Sequence, residues 1–401
     1  MDSRTRVQLA INHQEPDRVP IDIGGTRQTG IAASAYHRLK QHLGIDTPTR
    51  VRDVYQVLGE IENEIADRFG ADILPLPRPV YGVDAYGERF KPWTLEDGTP
   101  VEVPHDFSPE RLPSGDLVLR DEQGEIYAEM PEGGYYFDRI DKLPGALHTA
   151  PEDIEVQPRD SRYWDDVYQA SVEYFERTDK ALILQMGPPY ELFFALGQGD
   201  FESWMVTLAT EPDYVHALNQ RLTEIWLEDL RNMKDAIGDR VMLIQFNDDL
   251  GTQFAPFLSP DMFRELIMPY YKTGLDWIHE NTPCKVFMHC CGSIRPMIPL
   301  LIEMGVDCLN PVQITAADMS PEVLKAEFGD KITFWGGACD HQATLPRGTA
   351  DEVAAEVESN VRTLMPGGGF VFAGVHNVQS QVPPENIAAL YDTALKVGVY
   401  G

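Results

Sequence analysis

The chain is short of positive charge: 33 Lys+Arg stand against 64 Asp+Glu, a formal net charge of −31 over 401 residues. Such a surface repels a phosphate backbone or an anionic leaflet, so neither nucleic acid nor membrane is an expected partner. Long apolar runs are also missing. No stretch approaches the roughly 20 apolar residues that span a bilayer. The N-terminal MDSRTRVQLAINHQEPDR carries no apolar core of signal-peptide length, so a cytoplasmic location is expected. Cysteine is scarce and crowded: Cys284, Cys290, Cys291, Cys308 and Cys339 are odd in number and confined to the C-terminal third, a poor disulfide framework. Metal binding or burial explains them better. What remains is ordinary globular composition, 43% hydrophobic and 24% charged, in a chain that suits one large α/β barrel of about 250 residues carrying an insertion.

The patterning supports that architecture. Helical periodicity is expected over 4–12, 33–43, 52–69 and 164–178, with a short strand after Pro16 and Pro20, where the barrel begins near Val19. Apolar strands then alternate with helices: ALILQMG (181–187), VMLIQF (241–246), KVFMHCC (285–291), VDCLNPV (306–312), KITFWGG (331–337) and GFVFAG (369–374). That rhythm predicts a parallel sheet buried on both faces, closed as a (β/α)8 TIM barrel. Ser259-Pro260 and Ser320-Pro321 mark helix starts. Between about 82 and 140 the pairs Asp97-Gly98, Ser114-Gly115, Gln123-Gly124 and Gly133-Gly134 separate short alternating segments, which predicts a β-rich insertion capping the barrel mouth.

In such a barrel, functional groups gather where strands end, because the loops there surround the mouth. Strand ends here carry Asn247-Asp248-Asp249, His289-Cys290-Cys291-Gly292, Gly336-Gly337-Ala338-Cys339-Asp340 and Gly374-Val375-His376-Asn377. On an extended segment His289 and Cys291 fall on one side and Cys290 on the other. One imidazole and the thiolates of Cys291 and Cys339 form a borderline-soft set suited to Zn²⁺, and three protein donors with one open position mark a catalytic zinc. Plain packing is the competing reading for these three, and the expected one for Cys284, Cys290 and Cys308. Asp248 and Asp249 are open to metal binding, proton transfer or capping; His376 faces substrate or closes a loop; Glu191 is a fourth zinc ligand or a solvated carboxylate.

The segments EPDRVPIDIGGTRQTG, GPPYELFFALGQGDFESWM, NDDLGTQFAPFLSPDMFRELIMPYYK, HCCGSIRPMIPLLIEMGVDCLNPVQ and GGGFVFAGVHNVQSQVPPENI together resemble the uroporphyrinogen decarboxylase superfamily over nearly the whole chain, the insertion excepted. The decarboxylases of that superfamily carry an R-Q-A-G-R loop and an aspartate at the end of the next inner strand. This chain departs from both, reading Arg27-Gln28-Thr29-Gly30-Ile31 and then Ile73-Leu74-Pro75-Leu76-Pro77, with Asp72 several residues early. The corrinoid-linked methyltransferase branch is instead marked by H-x-C and a distant cysteine, which His289, Cys291 and Cys339 match.

The resemblance implies zinc, and methyl transfer between a small substrate and the cobalt of a separate corrinoid protein. Asp248 and His376 are the candidate catalytic residues; Arg27, Asn247, Asn310 and Gln313 are the candidate substrate contacts. Two directions fit: a methyl ether gives its methyl to cobalt, or methyl-cobalt gives it to a thiol. The first is favoured here, on the expectation that Tyr81, Tyr86, Phe90, Trp93, Tyr135, Tyr136 and Phe137 cap an aromatic donor. A metal-free decarboxylase and a non-catalytic tetrapyrrole or corrinoid binder are the rival readings.

Overall fold

The computed structural model describes residues 1–77, 89–121, 123–140, 150–153, 157–188 and 201–401. Seven parallel strands form one curled sheet, running in spatial order from Ile73–Pro75 through Ala181–Gln185, Leu243–Asn247, Lys285–His289, Cys308–Asn310 and Thr333–Trp335 to Phe370–Val371. Spatial order equals chain order, as successive right-handed crossovers require. Ile21 bridges both edge strands in parallel, to Ala71 and to Phe372. Backbone bonds from Asp72 N to the Ile21 carbonyl and from Asp22 N to the Phe372 carbonyl join the two edges through residues 20–22. The α/β barrel expected from the alternating pattern is therefore observed, with its first stave where the Val19 start placed it.

Parallel strands buried on both faces need apolar side chains on both. Inward, Ile73, Ala181, Ile183, Leu243, Phe287, Cys308, Trp335 and Val371 fill the barrel. The N-terminal helix Ser3–Ile11 closes one end, adding Val7, Ala10 and Ile11 to that interior. The larger of these, such as Ile73, Leu243 and Phe287, each contribute about 1.5–3 kcal/mol by leaving water. Asp72 belongs to this closed end: fully buried, it accepts hydrogen bonds from Arg6 (2.6 Å), Arg18 (2.7 Å) and Ser3 (2.8 Å). It clamps the helix to the barrel, so its early place in the sequence reflects a structural role.

Two local expectations differ from the structure. Residues 52–69 are not one helix: Val51–Asp53 and Leu58–Gly59 pair antiparallel, and only Asn63–Arg68 is helical. The Asp53 carboxylate accepts the backbone N–H groups of Tyr55 (3.0 Å) and Gln56 (2.8 Å), a local turn that competes with helix and wins. At the helix Pro321–Phe328, Ser320 precedes the start without a side-chain capping bond, whereas Ser259 does cap Pro260–Leu266 through Met262 N.

The insertion is β-rich as read. Phe90–Thr94 pairs antiparallel with Pro100–Pro104, and Glu110–Arg111, Leu117–Arg120, Ile126–Met130 and Arg139–Ile140 form a four-stranded antiparallel sheet. It holds a core of its own against Val51, Val54 and Tyr55, in which Phe107 meets Trp93 and Phe137 edge-on. Of its aromatics, Trp93 and Phe137 pack inside, Phe90 lies under Arg50 and Arg52, and Tyr135 and Tyr136 are exposed. Tyr81 and Tyr86 lie outside the described residues.

Candidate metal centre at the barrel mouth

The register of the sheet sets one level of the mouth. Asn247 pairs with His289, and His289 with Asn310, so three polar side chains from adjacent parallel strands point inward side by side. A pair of inward glutamines accompanies them: Gln185 is the register partner of Gln245, whose amide donates to Gln28 (2.7 Å) and to Asn247 (3.0 Å). The signal was legible, since a lone glutamine or asparagine within an apolar parallel strand must face the interior or the mouth.

Asn310 fixes His289. Its Nδ2 donates to the Trp335 carbonyl (2.8 Å), which leaves Oδ1 to face His289 Nδ1 at 2.6 Å. The imidazole therefore carries its proton on Nδ1 and presents Nε2 as the free donor nitrogen. Burial, with His376 alongside, pushes the His289 pKa down to about 4 against the pull of Asp249, so the ring is neutral at physiological pH. Cys291 Sγ lies 3.3 Å from Nε2. The strand stops at His289, and Cys291 stands two residues beyond its end. Its position is set instead by three contacts. Asp249 accepts Cys291 N–H (2.7 Å), Gln313 Oε1 accepts Gly292 N–H (2.8 Å), and Gly292 adopts φ +97°, with Gly251 O 2.3 Å from where a Cβ would be.

Among the described residues, the group of three donors brought together is His289, Cys291 and His376, whose ligating atoms all lie within 4.8 Å of one another. The imidazoles of His289 and His376 meet edge to face, with centroids 5.3 Å apart. Two donors on a tetrahedral zinc, at about 2.0–2.3 Å from the ion, are about 3.5 Å apart, so the trio suits zinc with a small contraction. Burial and the Asp249 carboxylate hold the Cys291 thiol well above its ordinary pKa, and metal binding there must displace that proton.

The remaining candidates are dispersed. Cys339 is fully buried and outside that group; Glu356 and Asp340 are its charged neighbours, and Tyr391 of the C-terminal helix also feels it. Asp248 is buried and accepts from Tyr271 Oη (2.8 Å) on the helix Met268–Asn281, while Asp249 is the carboxylate beside the trio, 3.9 Å from His289 Nε2. Gln313 is held by Gly292 at one end and Gln253 (2.8 Å) at the other, and so shapes the Cys291 loop. Arg27 pairs with Asp53 in a cavity of about 1020 Å³ whose inner wall includes Gln185 and Gln245. The lining of that cavity does not include the trio. Glu191 lies outside the described residues. Cys284, Cys290 and Cys308 are buried in the core, as expected.

His341 escaped the sequence reading. It accepts Val375 N–H at 3.2 Å, and burial beside His376 depresses its pKa to about 3, so a neutral ring props the His376 loop. Its place two residues after Cys339 was the available signal.

Comparison with known proteins agrees with this architecture. A curated uroporphyrinogen decarboxylase from Thioalkalivibrio sulfidiphilus is 26% identical over 147 residues, which is 35% of this chain and 39% of that relative, so the match spans well under half of its length. A solved methyltransferase structure from Methanosarcina mazei superposes with a TM-score of 0.58 over 99% of both chains at 18% identity, a likeness of fold. Among the described residues, no helix is long and apolar enough to cross a membrane. The uroporphyrinogen decarboxylase (URO-D) family profile matches residues 151–397, more than half of the chain, and the chain belongs to that family.

Proposed function

We propose that this protein is a zinc-dependent methyltransferase that moves a methyl group between a small substrate and the cobalt of a separate corrinoid protein, with methyl-ether cleavage as the favoured direction. The observation that carries the reading is the preformed pair at the mouth, a neutral His289 with its Nε2 unprotonated and in contact with Cys291 Sγ at 3.3 Å. The methyltransferase fold neighbour from Methanosarcina mazei supports the same reaction class.

A zinc ion held by His289 and Cys291 would supply Lewis acidity for a leaving oxygen or hold an incoming thiol. The chain's own residues do the rest. Asn310 keeps the imidazole in the donor tautomer, and Gln313 and Asp249 hold the Cys291 backbone. Gln28, Gln245 and Asn247, bonded to one another through their amides, form a polar wall beside His289 against which a polar substrate group would be placed. Of the insertion's described aromatics, Trp93 and Phe137 are spent on its own core, while Tyr135 and Tyr136 stay exposed. Among the described residues the barrel includes no cobalt-carrying unit, and the corrinoid would dock at the mouth on a partner protein.

Family membership keeps decarboxylation as the second reading. Two features weigh against it: Asp72 is committed to Arg6 and Arg18 at the closed end, and Ile31, fully buried, stands where the loop's second arginine would be. Elemental mass spectrometry of the purified protein beside folded Cys291→Ser tests the proposal. Near-stoichiometric zinc in the parent and its loss in the variant is the expected result; a parent that takes up no zinc removes the metal reading and restores the decarboxylase.

A further inference from the structure

We propose that His376, rather than Cys339, supplies the third protein donor to the metal, giving a His₂Cys centre. The inference rests on the metal reading above and adds to it the identity of the donor set.

Three observations point the same way. His376 shares with His289 and Cys291 the one compact donor group among the described residues. The two histidines are also prepared by the same device. Asn377 Oδ1 faces His376 Nδ1 at 2.8 Å, and Asn377 Nδ2 is committed to Gln56 Oε1 at 2.9 Å, so the carbonyl oxygen must be the atom turned to the ring. His376 thus carries its proton on Nδ1 and frees Nε2, as Asn310 makes His289 do. An amide or carbonyl acceptor fixing the far nitrogen is what metal-ligating histidines characteristically have, and two such histidines beside one thiol are not needed for packing. The loop that carries His376 is anchored as well: Val378 N donates to the Gly30 carbonyl (2.9 Å), Ala32 N donates to the Val378 carbonyl (2.8 Å), and Val375 N donates to His341.

Cys339 is arranged differently. It is completely buried within the large apolar cluster that includes Leu364 and Tyr391, and the charged groups that bear on it, Glu356 and Asp340, are both anionic and oppose a thiolate. Glu356 is itself held in place by Asp340 N–H at 2.8 Å.

The donor set has a chemical consequence. One thiolate leaves a divalent ion with a net positive charge, whereas two thiolates neutralise it. The charged centre draws electron density from a leaving oxygen more strongly, and the neutral one favours thiol chemistry. A His₂Cys set thus suits the methyl-ether direction.

The test is zinc-edge X-ray absorption on the zinc-loaded, full-length protein, beside zinc titrations of His376→Ala and Cys339→Ser, each checked for folding by circular dichroism. The expected spectrum shows one sulfur at about 2.3 Å and nitrogen or oxygen at about 2.0–2.1 Å. Zinc affinity should fall at least about 100-fold in His376→Ala and stay within about threefold in Cys339→Ser. Two sulfur scatterers in the parent, or zinc lost from folded Cys339→Ser and kept in His376→Ala, overturns the inference while leaving the metal centre standing. A parent that takes up no zinc overturns both. The parent spectrum decides the sulfur count even if a variant fails to fold.

Discussion

Replacing Asn310 by alanine separates orientation of the metal donor from substrate contact. In the folded protein Asn310 is fully buried, bonded to His289 Nδ1 at 2.6 Å and to the Trp335 carbonyl at 2.8 Å. Truncation removes the acceptor that selects the His289 tautomer, and loss of such a partner costs about 10–100-fold in metal affinity, or about 1.4–2.7 kcal/mol. It also strands a buried N–H and a buried carbonyl, at about 1–3 kcal/mol of folding stability each. Zinc affinity is read by competition with a chromophoric chelator and stability by urea unfolding of the metal-free protein. Both should fall. Asn310→Asp, which keeps an acceptor toward Nδ1, should recover part of the zinc affinity but not the bond to Trp335. Unchanged zinc affinity in a folded Asn310→Ala protein would refute the tautomer argument, whatever happens to stability.

Other changes probe the surroundings. Gly292→Ala should lower zinc affinity by more than about tenfold, measured by the same competition, because a Cβ would fall 2.3 Å from Gly251 O in a left-handed conformation that alanine rarely adopts. Tyr271→Phe removes the hydroxyl bonded to Asp248 and should cost about 1–2 kcal/mol in urea unfolding while leaving zinc stoichiometry intact; loss of zinc would place Asp248 in the centre after all. Asp22 predicts a pH effect. Burial pushes its pKa up to about 6 despite hydrogen bonds from Trp335 Nε1 and Gly25 N. The folded state therefore binds this proton more tightly than the unfolded one, and its stabilising contribution is complete below pH 3.8 and lost as pH rises through about 6. The loss amounts to about 3 kcal/mol at about 1.36 kcal/mol per tenfold change in proton affinity. Urea unfolding of parent and Asp22→Asn across pH 4–7 should show this decline in the parent alone; parallel curves would contradict it.

What could be read from the sequence follows physical rules with known reach. Strands buried on both faces announced themselves as apolar runs, and the barrel followed from their alternation with helices. The strand-end rule found Asn247, His289, Cys291 and His376, because a parallel barrel must present those positions at its mouth. It could not say which way each side chain turns beyond the strand. Asp248 and Asp249 are adjacent, yet one faces Tyr271 and the other Cys291. Cys339, at the correct end of its strand, packs into the large apolar cluster. The 52–69 segment failed for a different reason: its apolar spacing fits a helix, but the Asp53 side chain offers the backbone another set of bonds. In the insertion, aromatic content signalled a core, and whether that core served the fold or a ligand lay in packing that no spacing encodes.

The most direct test of methyl transfer at this centre is the methylation of cob(I)alamin, followed by the loss of its Co(I) absorbance, with aryl and alkyl methyl ethers as donors and zinc removed and restored. The account predicts methylation with at least one ether that vanishes on chelation, returns with zinc, and is absent in folded Cys291→Ser. No methylation with any ether, alongside release of CO₂ from a carboxylate substrate at a rate indifferent to chelation, would contradict it.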